Sequence, residues 1–439
     1  MTVRVRFSLV PVALAATAVA IALPRFLRPA EAAPAATAAP IAADGCDPDN
    51  AGLTLPPGFC AGVFAEGLGA PRHGVVAPTG ELLVNVRPGR GTAAGKGAVY
   101  LLRDTNGDGK ADETRRLADV GGTGIALANG ALYATAGDAI VRWRLKPGTV
   151  EPAAGPDTIV RDLPMGGHSA HNFVVDGPSL HVNIGSRSNS CQVQDRANAS
   201  PGVDPCTELD TRAGIWTYSA TKTGQRATDG VRFATGIRNA VALTLRGPGD
   251  VWAVQHGRDQ LAQNWGRTEQ ESAENPAEEL FHVMKGDDFG WPYCYWSHAV
   301  GKKVLAPEYG GDGTQVGRCA QKKDPVYPFP GHWAPNAVHF YTGAMFPASY
   351  RAGVFVAFHG SWNRAPLPQQ GFNVTFLPMA GDKASGTHQV FADGFIRLNE
   401  RGQMVGGARP TGLAQGADGA LFVMDDAGGK VFRIAYRGR

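Results

Sequence analysis

Six times along this chain a glycine-bearing turn leads into a short apolar strand. The glycines are Gly80, Gly130, Gly177, Gly249, Gly353 and Gly419, and the strands after them begin at Leu82, Leu132, Leu180, Val251, Val354 and Leu421. An apolar run also precedes each turn. Each copy reads as a tight β-hairpin, because glycine accepts the positive φ such turns require and the flanking β-branched and aromatic residues suit a pleated surface. The strand copies start about 50, 48, 71, 103 and 67 residues apart, within and above the roughly 40–50-residue period of propeller blades. One blade alone leaves both faces unburied, whereas six packed radially bury them, and closing the ring protects the edges. The expectation is an all-β fold, a six-bladed β-propeller, with the polar residues just beyond the strands as the site candidates.

Composition agrees with many short strands joined by turns: 58 Gly and 31 Pro in 439 residues, without a collagen-like period. The net charge of +3 and the absence of a basic stripe interleaved with aromatics argue against nucleic acid as a partner. The N-terminus carries a processing signature, with Arg4 and Arg6 before an apolar run from Phe7 to Leu23 and a small-residue site at Ala30-Glu31-Ala32. That run is also near the roughly 17-residue lower limit for a membrane span, so an uncleaved anchor is the alternative. We read 1–32 as a signal peptide, 33–50 as a flexible leader and 51–439 as one closed propeller, with Phe64 and the Val431–Ile434 segment sharing a blade. Export to the periplasm or medium, without stable membrane insertion after cleavage, gives the six cysteines a role. Cys46 and Cys60, Cys191 and Cys206, and Cys294 and Cys319 are successive neighbours bracketing Gly/Pro/Asp-rich loops. Six cysteines allow 15 pairings in principle; sequential pairing closes only short loops, and a bridge around about 15 residues contributes roughly 3 kcal/mol on the chain-entropy model. The stretch from Pro292 to Pro330 reads as a stapled insertion on the loop face.

Chemistry-bearing residues gather at the strand entrances and exits. His168 follows the glycine pair Gly166-Gly167 before the third strand pair, where a neutral imidazole suits a general base; His171 is its rival. Arg238 and Asn239 precede the fourth pair, and a planar guanidinium fork matches a carboxylate. The Gln255-His256-Gly257-Arg258-Asp259 segment exposes backbone carbonyls of the kind hard cations accept. Asn363 and Arg364 follow the fifth pair and Arg409 enters the sixth. Cationic and polar groups from at least four blades converging on one end favour a shared anionic-ligand site over surface decoration. Separately, Asp104, Asn106, Asp108 and Asp112 alternate like the first half of a calcium loop, but Arg115 stands where an EF-hand would place its bidentate Glu. That segment is read as a polar hairpin between strands, with a second Ca²⁺ site as the alternative.

The chain resembles the soluble quinoprotein sugar dehydrogenases of the glucose/sorbosone dehydrogenase family. The likeness runs from Leu55-Pro56-Pro57-Gly58-Phe59 to the final strand and is carried by Gly167-His168, Gly236-Ile237-Arg238-Asn239, the Lys285–Pro292 segment and His359-Gly360-Ser361-Trp362-Asn363-Arg364, the last pointing to the sorbosone-dehydrogenase-like branch. The resemblance implies a six-bladed propeller binding pyrroloquinoline quinone (PQQ) and Ca²⁺ at the channel mouth, a small-molecule sugar or aldehyde as substrate and an external electron acceptor. It implies His168 as the catalytic base, Arg238 and Asn239 as a quinone-contacting pair, Arg409 facing the quinone, and the main-chain carbonyls of Gly257 and Arg258 as ligands to the catalytic Ca²⁺. The Lys that other branches aim at the cofactor is not matched, leaving Asn363 or Arg364 in its place. Val241 and Val254 stand where polar and acidic residues are common. Two other classes compete: an exported metal-dependent lactonase-type propeller hydrolase, which needs side-chain carboxylates converging on one metal, and a non-catalytic carbohydrate- or protein-binding propeller.

Overall fold

The computed structural model describes residues 45–89, 97–399 and 404–438. The proposed signal peptide and most of the leader lie outside them. Six sheets follow one another in sequence, each made of an inner strand and three or four strands outward, antiparallel throughout except for the short strand Gln225–Arg226, which pairs parallel on the outside of the second. The inner strands are Pro71–Val76, Ile125–Ala128, Phe173–Asp176, Ala242–Gly247, Pro335–Phe340 and Pro410–Gln415. The ring closes as expected. Strand Phe59–Ala65 pairs with the final strand Lys430–Tyr436, with Val63 opposite Phe432 and Ala65 opposite Val431.

Five of the six glycine turns join adjacent strands directly. The fifth does not: Gly353 opens its strand, and the link from Phe340 runs through a longer loop with a short 3-10 turn at Ala348–Tyr350. Blade packing explains the apolar runs. Because successive side chains point to opposite faces, a strand between two neighbours must be apolar throughout. In the first blade Leu82 and Val84 join the core shared with the sixth blade. Leu83, between them, joins the core shared with the second. Strand Gly353–Phe358 is buried along its whole length. Each large apolar side chain so buried stabilises the ring by about 1.5–3 kcal/mol.

The inner strands surround a central cavity of about 460 Å³, lined in part by His73, Asn172, His339 and Gln415. Antiparallel alternation then sorts the loops. Links from an outer strand to the next inner strand, and from the second to the third strand of a blade, share one end of the ring; the remaining turns share the other. The three bridges form as expected, Cys46–Cys60, Cys191–Cys206 and Cys294–Cys319, with no free cysteine among the described residues.

Candidate active site

His168, Arg238, Gly257, Arg258, Asn363, Arg364 and Arg409 all fall on loops of the same end. The Asp104–Asp112 loop joins Ala98–Arg103 to Glu113–Ala118 and lies at the opposite end. Two glycines let the site loops pack. Gly167 has φ +60°, and a Cβ there would stand 2.3 Å from the Arg187 carbonyl oxygen. Gly236 has φ +72°, and its Cβ would stand 2.4 Å from the Gly290 nitrogen. Both conformations favour glycine, and both approaches require it.

The half-buried His168 imidazole meets the Ser186 carbonyl at 2.9 Å and the Ser186 hydroxyl at 3.0 Å, both through Nδ1. A carbonyl only accepts, so Nδ1 carries the proton and Nε2 is left as a base. Nε2 has no partner among the described residues. Burial and the Arg238 charge hold this imidazole down at about 3. Its rival differs. His171 is fully buried, with Nε2 at 3.1 Å from the Pro164 carbonyl, and serves the loop's own packing.

Asp259 is the hub of the site. Its carboxylate receives Arg238 at 2.9 Å, Arg196 at 2.7 Å and the Asn363 amide at 2.6 Å. Burial pushes its pKa up, but Arg238, His332 and Arg196 outweigh this and keep it ionised. Asn189 fixes the other side, accepting from the Asp259 backbone N–H at 2.8 Å and from Arg238 at 3.1 Å. Arg238 is thereby held rigid while its Nη1 has no acceptor among the described residues. Asn239 is buried, and its side-chain oxygen accepts from Asn183 at 3.3 Å. Arg409 grips the His359 carbonyl at 3.0 Å and that of Gly360, and its Nη1 is likewise without an acceptor among the described residues. Beside it, Asp426 is held ionised by His359 at 2.8 Å, Arg72 at 2.7 Å and Arg87 at 3.0 Å.

The turn after Gln255 is anchored by what surrounds it. Glu278, fully desolvated and pushed up to about 8, accepts from Gly257 N–H at 2.7 Å and Ala334 N–H at 3.0 Å. The Arg258 side chain is buried against Glu308 at 2.6 Å. The carbonyl oxygens of Gly257 and Arg258 accept no hydrogen bond among the described residues. The buried side-chain oxygen of Asn363 is also unpartnered there. Such open oxygens are the donor set a hard cation needs.

Arg364 is the member of the expected set that points elsewhere. It is buried and donates to the carbonyls of Pro368 at 3.2 Å and Ala273 at 2.5 Å. It braces its loop, whereas the neighbouring Asn363 reaches Asp259. Sequence reasoning missed Asp259, Asn189, Glu278 and Asp426. Asp259 lay inside the quoted 255–259 segment, and an acidic residue following two arginine-bearing motifs is a signal for a neutralising partner. Among the described residues no three His, Cys, Asp or Glu side chains form a metal-binding group, so the carboxylate cage a lactonase-type hydrolase needs is not assembled there.

A family model described as TrAA12-like matches residues 53–437. The chain belongs to that family. Among curated proteins it is 28% identical over 231 residues to a pyrroloquinoline quinone-dependent pyranose dehydrogenase of Coprinopsis cinerea, covering 45% of this chain and 30% of that protein. It is 26% identical over 207 residues to an uncharacterised protein of Borreliella burgdorferi, covering 46% of this chain and 48% of that one. The chain thus spans about half or less of the length of the curated relatives it matches. In fold it is similar to the holo form of the PQQ domain of the Coprinopsis cinerea pyranose dehydrogenase, with a TM-score of 0.70 at 21% identity over 87% of this chain and 97% of that one. A calcium structure of a Trichoderma reesei enzyme of carbohydrate-active family AA12 gives 0.69 at 20% over 88% and 97%. The apo soluble aldose sugar dehydrogenase of Escherichia coli gives 0.56 at 17% over 86% and 100%. The six-bladed architecture is shared with all three.

Proposed function

We propose that this TrAA12-family protein is an exported quinoprotein oxidoreductase that oxidises an aldose, pyranose or related sugar aldehyde, with PQQ and Ca²⁺ as cofactors and an external electron acceptor. The observation that carries the reading is His168: an imidazole held in one tautomer by Ser186, its Nε2 open, on the same rigid network as Arg238 and Asp259. The pyranose and aldose dehydrogenases among the similar proteins support the substrate class.

The residues present fit the two cofactors. The carbonyls of Gly257 and Arg258 would hold Ca²⁺, and the free Nη1 groups of Arg238 and Arg409, with the amides of Asn239 and Asn363, would hold the quinone's anionic groups. When bound, Ca²⁺ would supply Lewis acidity at the quinone carbonyl, and the quinone would serve as the two-electron acceptor for the hydride that leaves the sugar carbon. His168 takes the hydroxyl proton of the sugar, or of an aldehyde hydrate, onto Nε2; its depressed pKa keeps it neutral across the physiological range. Ser186 orients the ring, and Asp259 keeps the Arg238 fork still. The three disulfides fit an oxidising compartment, and no helix among the described residues is long and apolar enough to cross a membrane.

An absorbance titration of the purified protein with PQQ and Ca²⁺, before and after adding aldoses, tests this. The expected result is saturable, calcium-dependent quinone binding followed by bleaching of the oxidised quinone on sugar addition. A protein that leaves the quinone spectrum unchanged would remove the reading.

A further inference from the structure

Behind the candidate site lies a chain of buried contacts that none of the expected site residues accounts for. It starts in the stapled insertion. The insertion leaves strand Glu278–Val283 at the far end of the ring and climbs back beside strand Val231–Thr235, pairing in parallel at Thr235 and Asp288. There it forms the hairpin Cys294–Ser297 and Lys302–Leu305, tied by Cys294–Cys319. From that hairpin Lys303, whose side chain is 1% exposed, reaches inward to the Glu279 carboxylate, 2% exposed. Phe281 lies 5.3 Å from the ammonium. A lysine buried to this degree needs a counter-charge, because an unpaired buried ammonium costs several kcal/mol.

The contacts continue toward the site. Glu279 accepts from the Gln255 amide at 2.7 Å, and the Gln255 oxygen accepts from the Arg238 backbone N–H at 3.0 Å. The Arg238 carbonyl accepts from Ser186 N–H at 2.7 Å, and Ser186 holds His168 through Nδ1. Gln255 is also the residue from which the Gly257–Arg258 turn departs. Every link is buried or partly buried, and an amide has one orientation that satisfies both neighbours: NH₂ toward the carboxylate, oxygen toward the backbone N–H. Glu279 therefore dictates which way Gln255 presents its oxygen, and that oxygen fixes the Arg238 loop.

We propose that Lys303 and Glu279 are positioning residues for quinone binding: through Gln255 they set the backbone of Arg238, and through Ser186 the ring of His168, so that the disulfide-tied insertion takes part in building the cofactor site. This rests on the function proposed above. Replacing the ion pair by apolar groups of similar volume is the informative change, since buried pairs replaced in this way often leave the fold intact. Glu279→Leu with Lys303→Met should retain a melting temperature near that of the wild type while weakening PQQ binding to the apoprotein, in the presence of Ca²⁺, about 10-fold. Glu279→Gln with Lys303→Met retains an acceptor for Gln255 but loses the charge pair by which Lys303 fixes it, and should fall between that variant and the wild type, binding PQQ about threefold more weakly than the wild type. A role in packing alone would not separate the two variants. If the leucine variant does not fold, Gln255→Met, which removes the acceptor but leaves the ion pair, should show the same loss. Wild-type affinity in folded Glu279→Leu/Lys303→Met protein, or in Gln255→Met, overturns the proposal. A wild-type protein that binds no quinone in the same titration overturns instead the function on which it rests.

Discussion

Two loops of this molecule are rich in oxygen, and they treat it in opposite ways. In the loop from Asp104 to Asp112 the carboxylates turn inward on their own backbone. Asp104 accepts from Gly107 and Gly109 N–H at 2.7 Å each. Asp112 accepts from Thr105 N–H at 2.8 Å and Asn106 N–H at 3.2 Å. In the turn at His256–Asp259 the groups are fixed by partners outside the turn, His256 by the Pro335 carbonyl of the next blade, Gly257 N–H by Glu278, Arg258 by Glu308 of the insertion and Asp259 by Arg196 and Arg238, and the carbonyls of Gly257 and Arg258 stay open among the described residues. The first loop is complete in itself. The second is shaped from outside and keeps unused acceptors, which are the oxygens the proposed Ca²⁺ would take. The regular spacing of acidic residues suggested a polar hairpin with a second Ca²⁺ site as the alternative; what distinguishes the two loops is whether the oxygens already have donors.

The largest expected contrast is at the base. His168→Gln should still bind PQQ and Ca²⁺ but lose on the order of 10²-fold or more in turnover, whereas His171→Gln should lower stability and leave turnover per folded molecule nearly intact. A His168→Gln enzyme reducing dye at near-normal rate would end the assignment. Next comes the channel-mouth cradle. Arg238→Lys should weaken quinone binding about 10-fold, because an ammonium cannot both pair with Asp259 and offer a second planar donor; equal affinity would make Arg238 a loop salt bridge alone.

Acid should separate stability from chemistry. Burial holds His73, His171 and His339 down at about 4, against about 6.5 in an unfolded chain. The unfolded state therefore binds more protons between those values, and the stability these residues contribute is fully present above pH 6.5 and lost as pH falls toward 4. His168 accepts a proton only near pH 3. Melting temperature should thus fall from pH 6.5 to 4 while turnover of the molecules that remain folded shows no step at pH 6.5. A sharp loss of turnover centred there, in protein still folded by circular dichroism, would contradict the buried neutral imidazole. The smallest effect is expected at the other loop. Asp104→Asn with Asp112→Asn should leave quinone affinity unchanged and the melting temperature within about 2 °C of the wild type. Calcium-dependent quinone binding that disappears in this variant would make the two loops one functional unit.

Much of this was legible in the residues. Hydrophobic runs broken by glycine turns carry local information, so six blades, their closure through Phe59–Ala65 and the three neighbouring disulfides could be read from spacing. So could the motifs at His168, Arg238 and Arg409, because glycines and polar side chains at strand ends mark loops regardless of the rest of the fold. The fifth turn misled because Gly353 sits at the start of a strand rather than in the turn before it. The Arg364 role was not legible because a guanidinium reads the same in sequence whether it meets a ligand or, as here, the carbonyls of Pro368, Ala273 and Gly331.

By itself, then, the sequence determined the repeat, the ring and the kinds of chemical group offered at one end of it. Only the tertiary structure decided which of them meet. Asp259 joins Arg196 and Arg238, 63 and 21 residues away in the chain, and Lys303 reaches Glu279 from an insertion that first descends one blade and returns along its neighbour. Charge neutralisation, the tautomer of His168 and the open carbonyls of Gly257 and Arg258 all depend on those distant contacts, and burial makes each contact obligatory: a charged or polar group withdrawn from water must find its partner in whatever the fold brings near.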